Sequence, residues 1–273
     1  MNEIIVIGAS GFVGRALTLY LNEHQYSFKG VSRSNKEGLT QVHSYRDCPS
    51  GKLLIHLAEE SDIHKANSLG EEYLIESNTT TQHLCDKFEG KVIYCSSAAV
   101  YGDKNKQANS EQSPIVESSL YSRLKRLNEK TVLDRGGCVL RVANIYGGDM
   151  SVNNVLSDII NQIGRLGPVR LRSTSPIRDF LYIQDLISAI ALVIDDFHSG
   201  LFNVGSGAGF SIEELAKIIL AVSGETKRQI ISVNTEQQFS VNFLDTTKIK
   251  SVYGWHPRLP LQENIRIMLQ NRV

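Results

Sequence analysis

Tyr121 and Lys125, four residues apart in the stretch SSLYSRLK at residues 118 to 125, can share one face of a helix and act together on a proton. The chemistry open to such a pair is acid/base transfer: a free phenol keeps its proton up to about pH 10, and a nearby ammonium stabilises the phenolate. The same spacing also suits an ordinary helix surface, so the pair needs support from elsewhere in the chain. A second chemical element is Gly8-Ala9-Ser10-Gly11-Phe12-Val13-Gly14, which follows the apolar run EIIVIG. Glycines at such a junction permit a tight turn and close backbone approach, while unpaired amides at the start of the next helix face a phosphate. The spacing is G-x-x-G-x-x-G rather than the commoner G-x-G-x-x-G, and a plain strand-to-helix connection would also accept it. Its place directly after a leading apolar strand favours dinucleotide binding. A third element is Ser32-Arg33-Ser34. Where an NAD-binding chain often carries an acid for the ribose hydroxyls, a cation between two hydroxyls suits an added 2′-phosphate, which leans toward NADP; the alternative is that Arg33 is a solvated loop charge.

These residues need a scaffold, and the chain supplies an alternation of strand-like and helix-like segments. EIIVIG precedes a helix expected from about Phe12 to Glu23, then come FKGVSR, LLIHLA and a long helical stretch through about Phe88. KVIYCSS, the helix around Tyr121 to Leu133 and CVLRVANIYG continue the pattern of a parallel sheet covered on both faces. After Gly148 the texture changes: NNVLSDIINQI reads as helix, and PVRLRSTSPIRDFLYIQDL mixes short strands with turns. No repeat or low-complexity linker interrupts it.

Composition narrows the function classes. A chain of 273 residues, 41% hydrophobic, can bury a full core as one large domain or two joined lobes. Its 29 basic residues balance 29 acidic ones, so no global field draws it to nucleic acid or to a charged membrane, and an anionic ligand must be held locally. Cys48, Cys85, Cys95 and Cys138 lie far apart without a C-x-x-C, which argues against a disulfide framework or a zinc site and for reduced, mostly buried thiols. No basic segment followed by an apolar core and a cleavage site opens the sequence, and LISAIALVI at 186 to 194 falls short of the roughly 20 residues that span a bilayer. A soluble, cytoplasmic protein with no metal is expected.

GASGFVG, LLIHLA, YCSSAAVYG, YSRLK, LRVANIYG, IRDFLYIQDL, FNVGS and LDTTKIKSVYGWHP occur in an order that resembles the extended short-chain dehydrogenase/reductase family along nearly the whole chain. Within it the likeness is to the NAD(P)-dependent nucleotide-sugar epimerase, dehydratase and reductase branch. The resemblance implies a Rossmann-like, doubly wound parallel α/β sheet with a smaller C-terminal α/β substrate lobe. The expected division is residues 1–148 plus about 180–204 for the dinucleotide, and about 149–179 plus 205–273 for the substrate. It further implies that Tyr121 is the acid/base, that Lys125 contacts the nicotinamide ribose and lowers the phenol pKa, and that Ser97, beside Ser96, hydrogen-bonds the reacting oxygen. Cofactor contacts are implied for Gly8, Ser10, Gly11, Phe12, Val13, Gly14, Ser32, Arg33, Leu57, Ala58 and Asn78 as well as for Tyr121 and Lys125. Substrate contacts are implied for Ser97, Asn144, Asn154 and Arg178, whose guanidinium suits a diphosphate. His56 reads as a structural residue at a strand end.

Three departures from the family pattern matter. Ala98 and Ala99 stand where dehydratases of this branch place Asp-Glu, which speaks against 4,6-dehydration. Only RDCPSG separates QVHSY from KLLIHLA, so a helix is missing or reduced to a turn, the adenine side is expected to be open, and Asp47 is a weak candidate there. NTEQQFSVNFLD, which ends in Asp245, lacks the diphosphate-binding Arg that many family members carry shortly before that strand; Gln237 or Gln238 would give hydrogen bonds without charge. The expected function is NADPH-dependent reduction of a nucleotide-linked 4-keto sugar, with NAD as the other cofactor option. A 4-epimerase is the close alternative, and a non-catalytic dinucleotide-binding regulator the distant one. The expected partners are a nucleotide sugar and, as an open option, a second copy in a homodimer.

Overall fold

The computed structural model describes residues 3–234 and 239–270. In chain order, β1 (Ile4–Ile7), α1 (Phe12–Glu23), β2 (Phe28–Ser32), β3 (Thr40–Gln41) and β4 (Leu53–His56) open the fold. They are followed by α2 (Ile63–Ser68), α3 (Gly70–Lys87), β5 (Val92–Ser97), α4 (Leu120–Asp134), β6 (Cys138–Val142) and β7 (Asn144–Tyr146). Then come α5 (Val155–Ile160), β8 (Val169–Leu171), β9 (Ile177–Arg178), β10 (Phe180–Tyr182), α6 (Ile183–Asp195) and β11 (Gly200–Val204). The chain closes with β12 (Phe210–Ser211), α7 (Ile212–Val222), β13 (Ile230–Ser232), β14 (Val241–Asn242), α8 (Thr247–Tyr253) and α9 (Leu261–Gln270).

Seven strands form one parallel sheet in the order β11-β6-β5-β4-β1-β2-β3. Continuous apolar runs such as Ile4-Ile5-Val6-Ile7 form strands buried on both faces, as a sheet sandwiched by helices requires. Successive side chains alternate between two cores. Ile4, Val6, Leu53, Ile55, Leu140 and Val204 face α1 and α6, while Ile5, Ile7, Leu54, Val92 and Val139 face α3 and α4. This three-layer, Rossmann-like α/β architecture is the fold class read from the sequence.

The order reverses between β1 and β4, so the connections leaving their carboxyl ends run to opposite sides and open a crevice there. The glycine turn after β1 and the Leu57-Ala58 segment after β4 both sit at that crevice. Between β3 and β4 the sequence-predicted loss of a helix is found: a single 3₁₀ turn, Tyr45–Asp47, replaces it. Arg46 ties that turn to α3 through Glu76 at 3.0 Å and Thr80 at 3.2 Å. A third core, built from Leu156, Ile159, Val169, Phe180, Leu215, Ile219, Ile265 and their neighbours, gathers α5, α7 and α9 around β8 and β10.

Candidate active site

Gly8 adopts a left-handed backbone with φ of 79°, and a Cβ there would lie 2.6 Å from the Leu57 carbonyl. A Cβ on Gly14 would lie 2.2 Å from the Gly8 carbonyl oxygen. The turn is therefore closed to side chains at both positions, which lets β1, α1 and the end of β4 meet backbone to backbone. α1 starts at Phe12 with Gly11 as N-cap and no side chain capping it. The amides of Phe12, Val13 and Gly14 have no intrahelical partner and face outward with the positive end of a 12-residue helix, a cradle that fits a dinucleotide pyrophosphate.

Beside this turn, Ser32 is fully buried; its hydroxyl donates to Ser10 Oγ at 2.9 Å and accepts the Ser34 amide at 3.1 Å. Ser32 thus braces the turn from within. Arg33 is exposed, with its guanidinium 5.4 Å from the Tyr45 ring centre, and has no acidic partner among the described residues. Asp47, also exposed, ends the 3₁₀ turn that begins at Tyr45. Asn78 is turned toward α4: its amide donates to Asn128 Oδ1 at 2.8 Å and Thr131 Oγ1 at 2.9 Å.

Tyr121 and Lys125 stand on one face of α4, whose start is fixed by a reciprocal Ser119/Ser122 cap and by Asn67 Oδ1, which accepts the Tyr121 amide at 2.9 Å. Both side chains are buried, and the Lys125 ammonium lies 5.7 Å from the Tyr121 ring centre. Ser97 closes β5, half-buried, with its hydroxyl accepting the Ala99 amide at 3.2 Å. Its neighbour Ser96 donates to Glu129 at 2.6 Å; Glu129 also holds the buried Arg141 at 2.6 Å, so Ser96 belongs to the packing of α4 on the sheet.

Glu59 is the residue that sequence reasoning missed. Its carboxylate, almost wholly buried, lies 2.7 Å from Lys125 Nζ and accepts from Tyr94 Oη at 2.8 Å and Asn128 Nδ2 at 2.6 Å. Lys125 also donates to the Cys95 carbonyl at 3.1 Å. Burial alone would press the ammonium to give up its proton, yet the Glu59 carboxylate more than offsets this and holds the lysine above its ordinary range. Burial would likewise raise Glu59, and the Lys125 charge brings it below the usual carboxylate value. Both partners are therefore charged. The only sequence signal was an acidic doublet, Glu59-Glu60, following a buried strand at the crevice.

A cavity of about 1050 Å³ opens in the wall of the smaller lobe, and Asp103, Asn144, Asn154, Arg172, Arg178 and Ser240 are among its lining residues. It brings together the three sequence-predicted contacts Asn144, Asn154 and Arg178. Asn144 donates to the Asp179 carbonyl at 2.9 Å, and Asn154 caps α5 by accepting the Ser157 amide at 3.0 Å. Arg178 donates to the Ser240 carbonyl at 3.1 Å and to Ser240 Oγ at 2.7 Å, and Ser240 in turn donates to Asp103 at 2.6 Å. Burial lowers the Arg178 guanidinium from its ordinary range, with the charge of Asp103 opposing. Asp179 is occupied by the Ser206 and Gly207 amides and Asp185 by the Arg258 amide, so neither braces Arg178. Arg172, unnoticed in the sequence, adds a second guanidinium to the wall; Gln237 and Gln238 lie outside the described residues. Ser97, Tyr121 and Lys125 do not line this cavity. The Ala98–Tyr101 3₁₀ turn leads from Ser97 toward Asp103 on its rim.

Among the described residues no group of His, Cys, Asp and Glu could hold a metal ion, and no helix is long and apolar enough to cross a membrane. The sequence profile of the NAD dependent epimerase/dehydratase family matches residues 4–205. UDP-glucuronic acid decarboxylase 4 of Arabidopsis thaliana is 27% identical over 202 residues, 69% of this chain and 46% of that protein, so the match spans about half the length of that relative. dTDP-4-dehydro-6-deoxyglucose reductase of Escherichia coli is 21% identical over 99% of this chain and 97% of its own. UDP-glucose 4-epimerase of Thermotoga maritima, solved with UDP-glucose, superposes with a TM-score of 0.84 at 21% identity, covering 98% of this chain and 97% of that one.

Proposed function

The chain belongs to the NAD-dependent epimerase/dehydratase family, and from that premise we propose that it reduces a nucleotide-linked 4-keto sugar, with NADPH as the preferred cofactor. The observation that carries the reading is the buried Tyr121–Lys125 pair on α4, tied through Glu59 to the end of β4 whose Leu57-Ala58 segment meets Gly8, with the Ser97 hydroxyl at the end of the adjoining strand. When bound, the nicotinamide supplies a hydride. Tyr121 gives its phenolic proton to the sugar oxygen, Ser97 hydrogen-bonds the same oxygen, and the Lys125 ammonium offsets the phenolate left behind. Arg178 and Arg172 offer two guanidinium groups to a diphosphate, with Asn144 and Asn154 as neutral partners. Ala98 and Ala99 supply no carboxylate for removing water from a neighbouring carbon.

NADPH is favoured over NADH because Ser32-Arg33-Ser34 carries no acid against a 2′-phosphate and Arg33 is unpaired among the described residues. A 4-epimerase would use the same three residues, oxidising and then re-reducing one carbon. The two are separated by supplying UDP- and dTDP-4-keto sugars with NADPH or NADH, and the parent sugars with NAD. The expected result is net NADPH consumption with a keto sugar, no C4 inversion of the parent sugar, and loss of turnover in Tyr121→Phe with nucleotide binding kept. C4 inversion without net consumption would establish the epimerase instead.

A further inference from the structure

Glu59 changes what the Tyr121–Lys125 pair can do. The titratable and charged groups packed around it come from β4, β5, α3 and α4. From β4 comes His56, which burial pushes down to about 4 and so keeps neutral at neutral pH. From β5 come Tyr94, bonded to Glu59, and the Cys95 thiol, pushed up to about 12 by burial. From α3 comes Tyr73, whose hydroxyl accepts the Glu60 amide at 2.9 Å, while Glu60 itself pairs with Lys65 at 2.5 Å. From α4 come Tyr121 and Lys125, with Glu129 already paired to Arg141. Near neutral pH the charges left within the buried cluster are therefore one ammonium and one carboxylate.

With Glu59 present, the cluster is neutral while Tyr121 is protonated and carries −1 once the proton leaves. Without it, the cluster would go from +1 to 0. A buried site resists net charge, so Glu59 makes proton loss harder and proton retention easier, whichever of Tyr121 and Lys125 gives up the proton.

We propose that Glu59 is a positioning residue of the proton-transfer site: by holding the Lys125 ammonium and cancelling its charge, it keeps the Tyr121 proton in place to higher pH, so that the pair stays loaded with the proton it transfers while parting with it less readily. The inference rests on the reading of Tyr121 and Lys125 as the transfer pair in the proposed reduction. In that direction the carbonyl carbon gains a hydride and its electron pair from NADPH, the C=O π pair moves onto oxygen, and oxygen takes the Tyr121 proton. The phenolate then recovers a proton from solvent.

The test needs neither nucleotide nor sugar. The tyrosinate ultraviolet band of the full chain is titrated with pH in wild type and Glu59→Gln, each with and without Tyr121→Phe, so that the difference isolates Tyr121. Glu59→Gln should move the Tyr121 midpoint down by about one pH unit or more. Glu59→Gln/Lys125→Met, neutral before proton loss like the wild type, should return it to near the wild-type midpoint. The alkaline limb of the reductive kcat/KM profile in Glu59→Gln should shift down with it, a change that a merely structural role would not produce. An unchanged or raised midpoint in Glu59→Gln overturns the proposal. If that variant does not fold, the comparison runs from Lys125→Met to the double variant, where a lower midpoint supports the proposal and equal midpoints overturn it. Absence of turnover with every keto sugar would overturn the proposed reaction and leave the titration result standing.

Discussion

Arg178 is where the choice of substrate turns, because its partners are now explicit. Its guanidinium is held against the cavity wall by the Ser240 carbonyl and hydroxyl, with Asp103 one hydroxyl further on. Half-buried cations held mainly by neutral acceptors are ready for an anion. Arg178→Ala is expected to weaken binding of a UDP- or dTDP-sugar by about 2 to 5 kcal/mol, chiefly in KM, while NADPH affinity barely changes. A variant that melts like wild type and still binds these sugars as tightly would remove the diphosphate reading. At this scale the sequence was readable where chemistry follows from local spacing, as for Tyr121 with Lys125 or the glycines from Gly8 to Gly14. Glu59 and Arg172 escaped because their meaning arises only when separate elements meet: Glu59 leaves β4 and finds Lys125 on α4, and Arg172 follows β8 into the same wall as Arg178.

Elements were legible in proportion to how strongly their ends were marked. α1 runs from Phe12 to Glu23, as its glycine start and periodic apolar face foretold. The helical stretch through about Phe88 is instead two helices, broken at Leu69–Gly70, where Gly70 takes φ of 76°. A single glycine between polar helix formers gives little warning of that break. β4 carries its own pH dependence through His56, which sits edge-on to Tyr94 and within 3.3 Å of Thr81 Oγ1. Burial, opposed by the Glu59 charge and aided by that of Lys125, lowers its pKa from 6.5 to about 4. A histidine with a depressed folded pKa contributes stability that is full above the unfolded value and is lost as pH falls from there through the folded one. Lowering pH from about 6.5 to about 4 should therefore remove on the order of 3 kcal/mol, since each pKa unit is worth about 1.4 kcal/mol. Urea unfolding of wild type and His56→Gln across that range should show the dependence in the first and less of it in the second. Parallel curves would contradict the assignment.

For the whole molecule, the cores on either side of the crevice are joined by shared side chains: Phe12 and Tyr182 each pack against the α1–α6 core and the core of the smaller lobe. The parallel β7–β10 pair crosses between them. Melting is expected to be one cooperative calorimetric transition, and NADPH at about 100 times its Kd should raise the stability of that single transition by about 2.7 kcal/mol. Two resolved transitions, only one of which moves with NADPH, would show that the lobes unfold apart. Replacing a helix by the 3₁₀ turn after β3 also has a consequence for the sheet's outer rim. β3 contributes only Thr40 and Gln41, both exposed, so the rim offers a strand from another copy two residues of ladder and no apolar face. Runaway strand addition has no template there, and the shortened connection leaves the molecule with a blunt edge.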